Sequence, residues 1–425
     1  MLRTLLHWGS LMRSQWYSRE KLEQLQSEKF RRLVWMAYNE VHFYRRLYSH
    51  EMVEKVRAEG GQASEWLPVL SRTQLAQVSL EERTSSAVDP ASCIKRMTSG
   101  SSGIPLVVLE SKSSGAYWIA LQIRALWAFG VRPGDKVAWL TPIPSNRSIA
   151  FYKSGLFNLV RPQAHLLDLK DIHSRSFPQL LELQPDVIMA SPTTLELLMD
   201  YCERKEVKLS PKVIGLSSET STPSFRRRVQ NFFSAEVFDR YSAVEVGPIA
   251  WECPERVGYH VNMEGVLLEL VNVRRATRST EEGEVVVSCL YRDCTPVIRY
   301  LLGDIVRTKD DECPCGRGIP LIESIQGRKV DIIKRKNGED VSPYAVITAL
   351  DHIQGVRKFR VVQKPDYTVE VYVVLSSSFG ENELVESIER CLGDVLRGLQ
   401  VRVKPVEVIG DGSGIKQKLV ESHVV

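Results

Sequence analysis

Cysteine is scarce in this chain, eight residues in 425, and no long apolar run is present. So few thiols cannot make a disulfide scaffold, and they fit a reducing compartment. No stretch approaches the ~18 apolar residues of a membrane-spanning helix, so no membrane span is expected. The start, Met1-Leu-Arg-Thr-Leu-Leu-His-Trp, is broken by polar residues and does not read as a signal peptide. It reads as a helix packed on the core. An excess of one charge is also lacking: Lys plus Arg number 56 against 52 Asp plus Glu, a net charge of +4. That balance gives no basic face for nucleic acid. What remains is a cytoplasmic globular protein, 43% hydrophobic and 25% charged, without internal repeats. Its length accommodates two domains.

Residues 18–48 read as helical, with Leu22, Leu25, Phe30, Leu33, Val34, Ala37 and Val41 recurring on one side. Short apolar runs then alternate with helical stretches. Val137–Leu140, Val187–Ala190 and Val213–Leu216 read as buried strands, and Ala235–Tyr241 contains another. Pro192 stands at a helix start, and Thr222 with Pro223 makes a cap and first position for the next helix. Strand–helix–strand alternation implies a mainly parallel sheet. After about residue 260, Val266–Val271, Glu284–Ser288 and Pro296–Tyr300 read as antiparallel strands. After about 330 a small α+β unit follows. It comprises Asp331–Ile333, a helix near 343–352, strands Phe359–Val362 and Val369–Leu375, a helix near 381–398 and strand Val401–Val403. The fold class expected is α/β: a large domain with mainly parallel sheets and a β-rich portion, plus a small α+β C-terminal domain. A ligand cleft is expected at the domain joint.

The sharpest local signal is Thr98-Ser99-Gly100-Ser101-Ser102-Gly103-Ile104-Pro105. Glycines let backbone N–H groups converge on an anion, and hydroxyls add donors. Composition alone equally allows a flexible linker. No Gly-Lys-Ser/Thr follows, so this is not a Walker A loop. Cys253, His260, Cys313 and Cys315 give three thiols and an imidazole, a set suited to tetrahedral structural zinc. The Cys-x-Cys gap is shorter than the usual zinc spacing, so buried thiols beside an unrelated His remain the alternative. Cys93, Cys202, Cys289 and Cys391 read as small core hydrophobes, and Cys294 carries no signal.

The order of these and later segments resembles the adenylate-forming (ANL) superfamily, in its phenylacetate–CoA ligase and CapK-like branch. The serine-rich loop resembles the family's phosphate-binding loop. Ser217-Ser-Glu-Thr resembles its Ser-Gly-Glu turn, and Tyr241-Ser-Ala-Val-Glu-Val-Gly its Tyr-Gly-x-Ser/Thr-Glu segment. Pro296-Val-Ile-Arg-Tyr-Leu-Leu-Gly-Asp304 resembles the ribose-binding segment. Cys313-Pro-Cys-Gly-Arg followed by Gly327-Arg-Lys-Val-Asp331 resembles the passage into the small domain. The N-terminal helix, with Leu25-Gln and Ala37-Tyr…Phe43-Tyr, is similar as well.

The resemblance implies an ATP-dependent acid–CoA ligase with residues 1–327 as the adenylation domain and 328–425 as a small mobile domain. It implies ATP, Mg²⁺ and CoA, a small carboxylic acid as substrate with aromatic acids the commonest, and a monomer or homodimer. Thr98, Ser99, Gly100, Ser101, Ser102 and Gly103 would hold phosphates, and Ser218 and Glu219 would line the nucleotide site. Tyr241 would stack on adenine, Asp304 would bind the ribose hydroxyls and Arg328 would lie near the ribose. Glu245 would ligate Mg²⁺, and Asp331 would be the hinge. Lys416 would be the adenylation lysine, with Lys418 a rival two residues on. The branch also resembles the zinc set at all four positions. Departures stand beside these matches. Ser242, Val244 and Ser218 replace family residues, Ile415 replaces a Gly, and the loop lacks the lysine that many members carry. Two other functions stay open: adenylation with transfer to an amine, hydroxyl or carrier thiol, and a non-catalytic nucleotide-binding homologue.

Overall fold

A computed structural model describes residues 2–98, 105–141, 163–169, 172–277, 279–376, 379–410 and 418–424. They form two compact units, Met1–Ala128 with Arg240–Ser324, and Phe129–Asp239 with Ile325–Val425.

In the first unit the helix Leu2–Ser14 packs on the helix Lys112–Ala128, with Leu11, Tyr117, Ala120 and Leu121 buried between them. The charge of Arg124 is buried there too. It donates to Glu264 at 2.6 Å and to Asn262 at 2.6 Å, and Ser14 donates to the same Glu264. The expected helix over 18–48 is two helices, Arg19–Glu40 and His42–Leu47. Val41 makes the break: it is extended at φ −117°, and its β-branched side chain is fully buried.

Antiparallel strands complete this unit. Ile94–Met97 pairs with Val107–Glu110 and so brackets the serine-rich loop. Val266–Arg275, Thr280–Cys289 and Tyr300–Lys309 pair in sequence order. The strand expected at Pro296–Tyr300 begins only at Tyr300. Pro296 has no N–H to donate and Arg299 lies at φ +47°, so a ladder cannot run through them. Side chains replace the ladder. Tyr44 donates to the Pro296 carbonyl and accepts from the Ile298 N–H, while Ser288 accepts from the Arg299 N–H.

The second unit holds the parallel strands. Their order is Gln163–Asp168, Lys136–Thr141, Val187–Ala190, Val213–Leu216 and residues 236–239. Val187–Ala190 and Val213–Leu216 are buried at every position, as apolar runs covered on both faces should be. Ser191 and Thr222 cap the helices Pro192–Lys205 and Pro223–Phe233.

The C-terminal residues of this unit build a four-stranded sheet ordered Val401–Pro405, Val369–Leu375, Val356–Gln363, Val420–Ser422. The helices Pro343–Asp351 and Glu381–Val395 cover a core that includes Val346, Leu350, Val371, Ile388 and Leu392. Asp331 ends a short 3₁₀ turn, and the short strand Ile333–Lys334 after it pairs with Asp340–Val341. Asp351 accepts from both the N–H and the hydroxyl of Ser224, at the start of the helix Pro223–Phe233. Glu196 binds both Arg228 and Lys358. Among the described residues no helix is long and apolar enough to cross a membrane.

Candidate active site

The serine-rich loop leaves one hairpin strand at Thr98 and enters the next near Leu106. The Thr98 N–H donates to the Leu106 carbonyl at 3.1 Å, and the Leu106 N–H returns to the Thr98 hydroxyl at 2.9 Å. These two bonds close the neck of the loop. Ser99, Gly100, Ser101, Ser102 and Gly103 lie outside the described residues.

Beside the neck stands a cation absent from the sequence reading. Arg72 donates through Nη2 to the Thr98 hydroxyl at 2.8 Å and through Nη1 to Glu245 Oε1 at 3.1 Å. Tyr300 donates to the same Glu245 oxygen at 3.0 Å. Burial and the Glu245 carboxylate both push the Tyr300 hydroxyl pKa up, so it remains a donor. Arg72 opens the helix Arg72–Gln77, and Ser71 with Gln74 forms a capping box before it. The Ser-x-x-Gln pattern at Ser71–Gln74 is the sequence signal for that helix start. It locates the helix but not the partner of Arg72, 173 residues away.

A second pair lies in this unit. Tyr241 is buried, and its hydroxyl donates to Asp304 Oδ2 at 2.7 Å. Asp304 lies inside the strand Tyr300–Lys309 directly after Gly303, which takes φ +79°. Charge fixes the scaffold behind these groups. Glu110, fully buried, accepts from Arg96 at 2.6 Å and from Arg292 at 2.7 Å. Arg292 also reaches the Val244 carbonyl at 3.4 Å, one residue before Glu245. Removing either partner of such a buried pair strands a charge away from water, so the pairing holds the turn firmly. The Val244 side chain itself is exposed.

In the second unit Ser218 takes φ +77°, the left-handed backbone for which the Ser-Gly-Glu turn uses glycine. Glu219 accepts from the Thr193 N–H at 3.1 Å and its hydroxyl at 2.6 Å, in the first turn of the helix Pro192–Lys205. Its carboxylate thus serves that helix end. Arg328 is exposed. Lys416 lies outside the described residues, whereas Lys418 donates to Asp331 at 2.7 Å.

Cys253, His260, Cys313 and Cys315 converge, their ligand atoms all lying within 4.8 Å of one another. Cys253 and Cys313 sulfurs are 3.4 Å apart, and His260 Nε2 lies 3.2 Å from Cys315 Sγ. The other imidazole nitrogen, Nδ1, faces the Ile319 carbonyl at 3.3 Å. That contact holds Nε2 toward the thiols, the usual outer-shell support for a histidine ligand. Burial lowers the His260 pKa to about 4, which keeps the ring neutral as a ligand must be. Burial pushes the Cys253 thiol up. Burial also opposes ionisation of Cys315, but hydrogen bonds from Arg317 overcome it and bring that thiol down. Three thiols and one neutral imidazole at these separations fit zinc at ~2.0–2.3 Å per ligand.

No family model matches the chain. Its fold is that of adenylate-forming ligases. A 2-hydroxyisobutyryl-CoA ligase crystallised in the postadenylation state superposes with a TM-score of 0.78 at 19% identity, covering 95% of this chain and 90% of that one. By sequence the chain is 26% identical to phenylacetate-coenzyme A ligase of Thermus thermophilus over 426 residues, 94% of this chain and 92% of that protein. It is 24% identical to protein CapK of Staphylococcus aureus over 316 residues, 70% of this chain and 66% of that protein. By sequence the chain is thus similar to phenylacetate–CoA ligases and to CapK over most of its length, on a fold shared with adenylate-forming ligases.

Proposed function

We propose that this protein activates a carboxylic acid with ATP and passes the acyl group to the thiol of CoA. In the first step a carboxylate oxygen attacks the α-phosphate, the α–β bond breaks and pyrophosphate leaves. In the second the CoA thiolate attacks the acyl carbon, its bond to the adenylate oxygen breaks and AMP leaves. The observation that carries this reading is the Arg72 bridge from the neck of the serine-rich loop to Glu245, a carboxylate also bonded by Tyr300. Both reactants are anions, so a preorganised cation and metal ligand beside a phosphate-type loop address the main barrier. Likeness to the Thermus ligase over 94% of the chain supports the same reaction class.

In this reading Thr98 to Gly103 hold the β- and γ-phosphates. Arg72 supplies the charge that the lysine-free loop lacks. Glu245 holds Mg²⁺, a hard cation that prefers carboxylate and phosphate oxygens and that neutralises the polyphosphate. Tyr241 stacks on adenine, and its hydroxyl keeps Asp304 oriented to accept from both ribose hydroxyls. Ser218 and Glu219 contribute the turn along the nucleotide, and Arg328 lies near the ribose. Lys416 meets the charge developing between carboxylate and α-phosphate. Residues 328–425 turn about Asp331 against residues 1–327 between the two steps. The Cys253, His260, Cys313 and Cys315 site holds a structural zinc. A cytoplasmic location, where ATP and CoA are at hand, accords with this reading.

The test is ATP–pyrophosphate exchange across a panel of aromatic and aliphatic acids, followed by CoA-dependent AMP release. Acid-dependent exchange with AMP release only on adding CoA is the expected result. Exchange without a CoA effect assigns another acceptor. No exchange with any acid overturns the enzymatic reading.

A further inference from the structure

Two cysteines outside the zinc-type cluster meet at the root of the serine-rich loop. Cys93 and Cys294 lie 201 residues apart in sequence, and their Sγ atoms are 2.9 Å apart. A disulfide needs ~2.05 Å, so the sulfurs have less than about 1 Å to travel. Cys93 is half-buried rather than a core residue, and Cys294 is buried. Both backbones are already held. The Cys93 N–H donates to the Pro90 carbonyl, and the Cys294 carbonyl accepts from the Ser85 N–H at 2.8 Å. Asp293, just before Cys294, is gripped by Ser111 and Ser114, each at 2.7 Å. Just after it, Thr295 accepts from the Leu109 N–H. The two segments are therefore pinned on both sides of the sulfur pair.

We propose that Cys93 and Cys294 form a modification site, a reversible intramolecular disulfide made by exchange with a low-molecular-weight disulfide. The Cys93 thiolate, on the accessible side, attacks one sulfur of the reagent and expels a thiolate. The Cys294 sulfur then attacks Cys93 in that mixed disulfide. The second reagent thiolate leaves and takes up the Cys294 proton. The protein loses two thiols, the reagent is reduced to two thiols, and atoms and electrons balance. Burial pushes the Cys294 thiol up, so the half-buried Cys93 is the first to attack. The product ties the start of the strand Ile94–Met97, which leads to Thr98, to the segment that carries Arg292 and Thr295. It closes a very long loop, so its main effect is to stabilise the fold.

The experiment treats the purified full chain with oxidised glutathione and follows intact mass, peptide map and melting temperature. The expected product has lost two hydrogens and retains no glutathione. Its map links the Cys93 and Cys294 peptides, and Tm rises by about 3 °C or more, reversed by dithiothreitol. Cys93→Ser and Cys294→Ala each remove the link and the rise. If Cys294→Ala does not fold, Cys93→Ser, at the half-buried position, decides alone. A glutathione adduct that stays on Cys93, a link from Cys93 to any other cysteine, or an unchanged map overturns the proposal.

Discussion

Lys418 Nζ lies 2.7 Å from Asp331 Oδ1, so this lysine is paired with the turn proposed as the hinge. The carboxylate is nearly buried while the ammonium remains 38% exposed. Lys418 and Asp331 thus form an ion pair within the second unit.

This pairing separates the two lysines by experiment. Lys418→Ala is expected to leave acid-dependent pyrophosphate exchange within about fivefold, since its ammonium meets Asp331 and is not the group assigned to the charge developing at the α-phosphate. Lys416→Ala is expected to lower it at least about 100-fold, the scale of removing a preorganised electrostatic donor. Thioester formation from synthetic acyl-adenylate should persist in both. The reverse order of effects moves the catalytic assignment to Lys418.

The bond between Tyr241 and Asp304 gives a graded series. Asp304→Ala should raise KM for ATP roughly tenfold or more, because hydrogen bonds to a carboxylate are worth ~1.5–3 kcal/mol each. Tyr241→Phe keeps the ring for stacking and removes the bond to Asp304. It should raise KM less, by about three- to tenfold. An unchanged KM for ATP in both variants removes the ribose assignment.

Purified protein should contain about one zinc per chain. Cys313→Ser should lower zinc content and Tm together, and a chelator should lower Tm in the parent only. Elemental analysis without zinc, in protein made without chelators, sinks this site.

Lys29 gives a pH test. Burial lowers its pKa to about 8, with its ammonium on the Glu264 carbonyl and the Tyr117 hydroxyl. Between the folded value of about 8 and the ordinary 10.5, the unfolded chain binds more protons than the folded one. The contribution of Lys29 to stability therefore rises with pH across that window, by up to ~3 kcal/mol at 1.36 kcal/mol per unit. Below pH 8 both states are charged and the contribution is flat. Urea midpoints of the parent minus those of Lys29→Met should slope upward from pH 8 to 10.5. A flat difference refutes the shift.

Local patterns account for what was legible. Val187–Ala190 and Val213–Leu216 are apolar at nearly every residue because both faces are covered, and Thr222 with Pro223 marks the following helix through its own cap chemistry. The zinc-type set was legible as residue types only. Its convergence depends on Tyr259–Val261 pairing with the strand Leu321–Arg328, a long-range register. What escaped the sequence is likewise long-range. Arg72 belongs to none of the motifs, and only its bonds to Glu245 and Thr98 single it out. Glu219 belongs to a motif, yet its carboxylate is engaged by Thr193. The segment from Pro296 to Arg299 is apolar enough for a strand, but Tyr44 and Ser288 take over its hydrogen bonds. Periodicity sees neighbours three or four residues away and is blind to such partners.

The helix Pro223–Phe233 begins on a carboxylate borrowed from Asp351, well beyond the proposed hinge. If residues 328–425 swing about Asp331, that carboxylate leaves and the Ser224 amide opens to water. The amide then becomes a built-in clock for the swing. Its deuterium uptake under adenylate-bound conditions, set against uptake with CoA added, reads how often the small domain departs without any label on the protein.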